Sequence, residues 1–229
     1  MFSLQKKSAV LALGMTLTLG LAACGSNSTE STASAGSDTP SSAPSPAAAL
    51  DSLTGKQTAV TLDAGFLAGL TALKLTPATI GGATLDAATG KIAFPITGGN
   101  VTYFDPASGV TPFVTGAINH DGSGLQLTGA NGKVVKLENF VVDPGASMLT
   151  GKVTVDGKVA FESAPLFFLD GSTVKPLDTT SSPGEAILEG TTVSLTKAAA
   201  DALNGVFETT ALTEFFKVGV AEITLTLPS

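Results

Sequence analysis

Apolar and polar residues alternate over short runs from about residue 56 to the C-terminus, and the runs end at Gly, Asn, Asp or Pro. Alternation with a period of two gives a segment one apolar face and one polar face, which is typical of antiparallel strands buried on one side. The clearest runs cover residues 91–96, 99–104 and 220–227. The pattern predicts a mainly β domain that ends in a strand.

Two hairpins are predicted in series in the middle of this region. The dipeptides Asn131-Gly132 and Asp156-Gly157 each separate two alternating runs. Such dipeptides favour two-residue turns because both central residues must adopt positive φ, which Asn, Asp and Gly tolerate. Consecutive hairpins indicate a meander, in which each strand pairs with the next strand along the chain.

Two short segments have helical spacing instead. Asp63 is a candidate N-cap for a helix that carries Phe66 and Leu70, and Thr196 is a candidate N-cap for a helix over residues 197–207. Asp and Thr are favoured at an N-cap because their side-chain oxygens accept hydrogen bonds from the first free backbone N–H groups. Each predicted helix follows directly on a strand-like run.

The predicted fold of residues 56–229 is a two-sheet antiparallel β-sandwich with two short helices that cover an open end or edge. A domain of this length needs only one core, which buries roughly 70% of the surface of the unfolded chain. The chain contains a single cysteine, Cys24, so the fold must stand without a disulfide.

The N-terminus carries the pattern of a bacterial lipoprotein signal. Lys6 and Lys7 precede an apolar run over residues 8–20, and residues 21–24 read Leu-Ala-Ala-Cys, a lipobox. A cationic start, an apolar stretch and small residues before the cleavage point are the features of a secretory signal peptide. We predict that residues 1–23 are removed and that Cys24 becomes an acylated N-terminus.

Two alternatives for this segment are an uncut membrane-spanning anchor and an ordinary secretory signal with a coincidental cysteine. The apolar run is shorter than the roughly 20 residues that a spanning helix needs. An unacylated Cys24 would be a lone thiol in an exported protein. Acyl chains on Cys24 would anchor the protein to the cell membrane or the outer membrane, outside the cytoplasm.

Residues 24–55 are predicted to form a disordered tether. Most of them are Ser, Thr, Ala, Gly, Pro or Asn. Such a segment has too little bulky apolar surface to offset the entropy of ordering it. A coil of about 30 residues reaches roughly 30 Å, which would lift the domain clear of the lipid headgroups.

The charges exclude one class of partner. The chain has 12 lysines, no arginine and 19 acidic residues, and its net charge is −7. Phosphate and nucleic-acid sites need clustered cations and favour the guanidinium group of arginine. We therefore expect no nucleic-acid partner, a membrane partner only through the lipid anchor, and an envelope protein or small ligand as the remaining partner.

Candidate chemistry is sparse. His120 is the only histidine, and it lies in the glycine-rich stretch 116–125, which predicts a polar turn. Asp121 could orient an exposed imidazole there; the alternative is a turn histidine bonded to backbone or water. Zinc needs three or four ligands, so no metal site is predicted. The chain has no Gly-x-Ser-x-Gly elbow and nothing selects a pair of carboxylates, so no catalytic residue is predicted.

Short motifs follow one another from residue 116 to the C-terminus in an order that resembles the HtaA-type haem-uptake domain of bacterial surface proteins. They are GxxxHDGxGLxL from residue 116, LTGxV from residue 149, PLF from residue 165, and LT at residues 195–196 before an Ala-rich helix. The resemblance implies a β-rich fold with small helices.

The same resemblance implies haem as a ligand. In that family a tyrosine coordinates the haem iron and a histidine supports it, and by residue type Tyr103 and His120 could stand in those roles. Tyr103 is the only tyrosine of this chain. The chain departs from the family in having no tryptophan and in carrying Asn119 before His120.

These observations predict a non-enzymatic binding or structural module of the cell envelope, held by a lipid anchor. The alternative function is an uptake protein for haem or another hydrophobic ligand. A hydrolase with an unmarked carboxylate site is a third hypothesis.

Overall fold

The structure of the protein, a computed structural model, describes residues 44–228. The predicted signal peptide, the lipobox with Cys24 and most of the predicted tether lie outside the described residues. Neither helix within residues 44–228 is long and apolar enough to cross a membrane.

The described chain forms twelve strands and two α-helices, which confirms the prediction of a mainly β domain with two short helices. The elements in chain order are β1 (Ala48–Leu50), β2 (Lys56–Leu62), α1 (Ala64–Ala72), β3 (Thr76–Gly81), β4 (Thr84–Asp86), β5 (Lys91–Pro95), β6 (Gly98–Tyr103), β7 (Val114–Thr128), β8 (Val134–Asp143), β9 (Met148–Val155), β10 (Lys158–Asp170), β11 (Glu185–Leu195), α2 (Lys197–Phe207) and β12 (Lys217–Thr226). A 3-10 helix over Pro106–Ser108 follows β6.

All twelve strands belong to one antiparallel sheet, so the prediction of two packed sheets is wrong. The strand order is β1-β6-β7-β8-β9-β10-β11-β12-β2-β5-β4, and β3 pairs with the part of β7 that lies beyond Gly98, the first residue of β6. The hydrogen-bonded ladder runs without a break, and the sheet curls into a half-barrel whose concave face holds the core. Alternation along a strand requires one buried face, and a curled sheet meets that requirement as well as a sandwich does.

The link between β5 and β6 closes one corner of the half-barrel. Thr97 in this link donates its backbone N–H to the Asn119 carbonyl at 2.8 Å, and its hydroxyl accepts the Asp121 N–H at 2.9 Å. Both partners lie in β7. Strands β5 and β7 are far apart in the strand order. The link after β5 holds them together through the two residues of β7 that flank His120.

Both predicted hairpins are present, with different turns. Asp156 and Gly157, between β9 and β10, have φ of 48° and 79°, as a two-residue turn requires. The connection between β7 and β8 is longer and covers residues 129–133. Its Gly132 has φ of 77° and donates to the Gly129 carbonyl at 3.0 Å. A turn closed by a left-handed glycine is the usual form of such longer hairpin loops.

Both predicted N-caps are confirmed. The Asp63 carboxylate accepts the Gly65 N–H at 2.8 Å at the start of α1, and the Thr196 hydroxyl accepts the Ala199 N–H at 3.1 Å at the start of α2. Each cap follows the last residue of a strand, so the two helices begin where β2 and β11 leave the sheet.

Within the described residues, β1 and Leu53 lie before residue 56, inside the segment assigned to the tether. Ala48 pairs with Tyr103 across β1 and β6, and the side chain of Leu53 is buried in the core. A short segment can join a formed strand because the strand edge offers unpaired backbone groups. Residues 44–228 lie in one compact unit that contains the whole sheet and its core, as expected of a domain that folds by itself.

Candidate functional site

The concave face of the sheet lines a partly open cavity of about 420 Å³, which we call the interior cavity. Its walls come from α1 and from most strands of the sheet, and they are largely aliphatic and aromatic. The polar side chains among its lining residues are Thr58, Tyr103, Thr111, His120, Ser147, Asp170, Ser172 and Thr191.

Strand alternation explains why these side chains face inward. In β7, Ile118 and His120 lie two residues apart and both line the cavity. In β2, Thr58, Val60 and Leu62 follow the same spacing. Successive side chains of a strand point to opposite faces, so one polar residue in an apolar series is carried into the interior by the register of its neighbours.

His120 lies inside β7 and not in an exposed turn, which corrects the prediction for this residue. Its side chain is 1% exposed. The Nε2 atom is 2.8 Å from the Thr58 hydroxyl, and the ring stands nearly perpendicular to that of Phe94, with centroids 6.4 Å apart. Phe140 is its direct partner in β8. We call the group of His120, Thr58, Phe94 and Phe140 the closed corner.

Burial makes His120 a neutral group. Desolvation lowers the pKa of His120 to about 4, against the opposing effects of the Phe140 and Ile118 carbonyls and the Asp121 charge. Neither carbonyl makes a hydrogen bond to Nδ1, which is buried without a partner. The alternative in which Asp121 orients the imidazole does not occur, because the Asp121 carboxylate accepts the Thr97 hydroxyl at 3.3 Å on the surface.

The glycines around His120 mark close approaches between strands, not a turn. A Cβ on Gly116 would lie 2.2 Å from the Asn100 carbonyl oxygen, and a Cβ on Gly124 would lie 2.2 Å from that of Leu137. The pairing of β7 with β8 shifts register between His120 and Gly124. Such bulges increase twist and re-aim side chains.

Tyr103 lies at the other end of the interior cavity, where loops replace strands in the lining. It is the last residue of β6, pairs with Val114 and is 7% exposed. The Leu177 N–H donates to its hydroxyl at 3.4 Å, and its ring meets the ring of Phe113 edge to face at 6.1 Å. We call the group of Tyr103, Phe113, Leu177 and Asp170 the loop end.

The two predicted ligand-binding residues line one cavity but do not meet. Tyr103 is level with Val114, and His120 lies six residues farther along β7, a path of about 20 Å. A histidine can support a tyrosine ligand only within hydrogen-bonding distance. The pair Tyr103 and His120 therefore does not fit the haem arrangement that the resemblance implies.

Asp170 is the only charged side chain among the described residues that line the cavity. It is the last residue of β10 and accepts the Ser172 N–H at 2.9 Å. Hydrogen bonds from Ser172 hold the pKa of Asp170 below its usual value, so the carboxylate stays ionised at neutral pH. The loop end is therefore negative.

Within residues 44–228, His120 is not paired with a nucleophile, and no metal-binding cluster is found. Ser123 is buried beside His120, but it donates to the His120 backbone carbonyl at 3.0 Å and not to the ring. In this part of the chain, no three His, Cys, Asp or Glu side chains are grouped so that they could hold a metal ion.

No protein-family model and no curated protein matches the chain. Among solved structures, the C-terminal domain of HtaA from Corynebacterium glutamicum is similar with a TM-score of 0.53 and 17% identity, over 79% of this chain and 99% of that domain. The N-terminal domain of the same protein gives a TM-score of 0.47 and 14% identity, over 77% of this chain and 99% of that domain.

The likeness to the C-terminal domain shows the fold alone, and it confirms the expectation of an HtaA-like fold. It extends beyond the stretch that carries the motifs, which begins at residue 116. The described domain is therefore a half-barrel with an apolar interior, similar in fold to that C-terminal domain.

Sequence reasoning missed Thr58 as the partner of His120, since 62 residues separate them. A signal was present in the sequence. Thr58 lies two residues before Val60 and four before Leu62, so it shares the inward face of β2 with them. Leu177, whose backbone holds the Tyr103 hydroxyl, has no comparable signal because any residue but proline could supply that N–H.

Proposed function

We propose that the domain is a non-enzymatic binding module that holds a small apolar molecule in the interior cavity. The observation that carries this proposal is an apolar cavity of about 420 Å³ within one domain. Small-molecule sites are typically concave, apolar and about 300–1,000 Å³ in volume, with a few polar groups that fix orientation. The HtaA-type fold supports a binding role over an enzymatic one.

The test is binding of N-phenyl-1-naphthylamine, an uncharged dye that fluoresces in apolar surroundings, to residues 42–229. We expect saturable binding of one dye molecule. Ala221 lines the cavity, so Ala221→Leu should fill part of it and weaken dye binding about tenfold or more. Ala117, next to Ile118 in β7, points to the other face, so Ala117→Leu is the matched control.

Dye binding that is absent, or that Ala221→Leu and Ala117→Leu weaken equally, would contradict an interior site. Thermal unfolding of both variants checks that each is folded. Added leucine volume should not itself unfold the domain at position 221, because the cavity offers room for it.

We further propose that the module is anchored outside the cytoplasm by acyl chains on Cys24. The lipobox at residues 21–24 and the lone cysteine support this anchor. Mass spectrometry of the protein from its bacterial host should find Cys24 acylated, and Cys24→Ala should release the protein from the membrane fraction. Unmodified Cys24 in a cytosolic protein would contradict the anchor.

Haem is the second candidate ligand, and the HtaA-type fold is what favours it. Tyr103 accepts one hydrogen bond from the Leu177 N–H, and its oxygen keeps a second lone pair that could coordinate the haem iron. Haemin titration of residues 42–229 tests this candidate. A tyrosinate-type absorption change that is lost in Tyr103→Phe would support haem, and a spectrum equal to that of free haemin would exclude it.

A further inference from the structure

We propose that the ligand of the interior cavity is an uncharged molecule with a long apolar body and one hydroxyl group, and that the hydroxyl is hydrogen-bonded to Nδ1 of His120. A long-chain alcohol represents this class. The inference rests on the proposed function and deepens it by naming the ligand chemistry.

The first observation is the incomplete hydrogen bonding of His120. Its side chain is 1% exposed and lines the cavity, Nε2 is satisfied by Thr58, and Nδ1 has no partner. A buried polar atom without a partner is energetically unfavourable, and native proteins rarely keep one. A ligand that supplies the partner recovers this free energy on binding.

A hydroxyl group suits the closed corner whichever nitrogen carries the proton. If Nε2 donates to the Thr58 hydroxyl, Nδ1 is an acceptor and needs a donor. If the Thr58 hydroxyl donates to Nε2, Nδ1 carries the proton and needs an acceptor. A hydroxyl both donates and accepts, so it satisfies either tautomer of His120.

The second observation is the absence of any positive charge to hold an anion. Among the described residues, no lysine lines the cavity, and His120 is neutral at pH 7 because burial lowers its pKa. The one charged lining residue, Asp170, is negative. A buried carboxylate is strongly unfavourable without a cation or several donors, so a fatty-acid anion does not fit.

The third observation is the position of the polar groups along the cavity. The closed corner and the loop end are separated by about 20 Å along β7. Apolar side chains such as Ile118, Val142 and Leu149 line the space between them. A molecule whose hydroxyl lies at His120 would therefore place an extended hydrocarbon body against these side chains, toward Tyr103.

The direct test observes His120 in the unmodified protein. His120 is the only histidine, so its two imidazole nitrogens can be assigned without a variant in untagged residues 42–229. We expect the ¹⁵N resonance of Nδ1 to shift when 1-dodecanol is added, and to move much less with tridecane, which replaces the hydroxyl with a methyl group. An Nδ1 resonance that dodecanol leaves unmoved at saturation would overturn the inference.

A second test uses displacement of the dye by the same pair of ligands and by dodecanoate. In the variant His120→Leu, the dissociation constant of dodecanol relative to that of tridecane should rise roughly three- to tenfold, the net value of one hydrogen bond. The comparison of ratios removes the difference in hydration of the two ligands. His120→Gln retains a hydrogen-bonding group, so its ratio of the two dissociation constants should lie between that of the unmodified protein and that of His120→Leu.

Two results separate this inference from the proposed function. If the dye binds in the cavity but dodecanoate displaces it as well as dodecanol does, or if the ratio is unchanged in His120→Leu, only the ligand class is overturned. If neither the dye nor dodecanol binds, both proposals fail. Should His120→Leu not fold, the nitrogen resonance of the unmodified protein decides.

Discussion

The closed corner and the loop end present a polar side chain to the same cavity in opposite ways. At the closed corner, His120 is surrounded by side chains from β2, β5 and β8 and bonded to another side chain. At the loop end, Tyr103 is bonded to one backbone N–H at 3.4 Å, from a loop. We therefore expect substitutions at the closed corner to change both stability and ligand binding, and substitutions at the loop end to affect the two nearly independently.

The largest expected effect is that of Phe140→Ala in the closed corner. The Phe140 ring contacts Phe94 and Phe167 edge to face at 5.2 and 6.4 Å and is 4% exposed. Removing a buried phenylalanine leaves a cavity and lowers the free energy of unfolding by about 3–5 kcal/mol. Urea unfolding of residues 42–229 measures it.

Phe113→Ala at the loop end is the matched change, since Phe113 makes one edge-to-face contact where Phe140 makes two, and it is only half-buried. We expect Phe113→Ala to lower the free energy of unfolding by less than half as much as Phe140→Ala does. Equal losses would show that the two ends contribute equally to stability.

Acid should destabilise the protein through His120. The pKa of His120 is about 4 in the folded state, whereas an ordinary exposed histidine has a pKa of 6.5. The unfolded chain therefore binds a proton as pH falls below 6.5 while the folded protein does not, and the free energy of unfolding drops by up to about 3 kcal/mol by pH 4. Urea unfolding at pH 7, 5.5 and 4.5 measures the slope.

The control for this pH dependence is His120→Gln, which cannot titrate. Asp63, Asp86 and Asp156 have pKa values held below 3.8 by hydrogen bonds, so their stabilising effect is lost only as pH falls through and below that value. The interval between pH 6.5 and 4 thus reports mainly on His120. A slope that persists in His120→Gln would mean that another group is responsible.

A smaller effect is expected for Tyr103→Phe, which removes the hydroxyl but keeps the ring. A hydrogen bond as long as 3.4 Å contributes little, so the free energy of unfolding should fall by about 0.5 kcal/mol. Thermal unfolding gives the value. A loss above about 2 kcal/mol would mean that the loop end contributes to stability as the closed corner does.

The smallest effect should come from Asp170→Asn, which removes the negative charge of the loop end. Asp170 is partly exposed, so water and salt screen its field. The dissociation constant of dodecanoate, measured by displacement of the dye, should fall by a factor of about two at low salt. That of dodecanol should not change. Equal changes for both ligands would show a steric effect in place of an electrostatic one.

Local features of the fold could be predicted from the sequence because neighbouring residues determine them. Asp63 and Thr196 cap helices through bonds to residues two and three positions away. Asp156-Gly157 forms the expected turn because both residues tolerate positive φ. These features depend on backbone geometry over a few residues.

The curl of the sheet and the burial of His120 could not be predicted in this way. Alternation identifies the buried face of a strand but not whether a second sheet or the curl of the same sheet covers it. Gly116 and Gly124 favoured a turn in the sequence, yet they allow strands to approach within contact distance of one another. The carbonyl groups that lie against these two glycines belong to Asn100 and Leu137. Both are on neighbouring strands that come together only when the chain folds.

The pairing of β1 with β6 has a mechanical consequence. Ala47 donates its N–H to the Tyr103 carbonyl at 2.9 Å, so the chain enters the sheet beside the residue that ends β6. A force that pulls on the N-terminal side of residue 47 loads these few hydrogen bonds first. Because β1 has only three residues, it would peel away before the rest of the domain yields, and would lengthen the protein without unfolding its core.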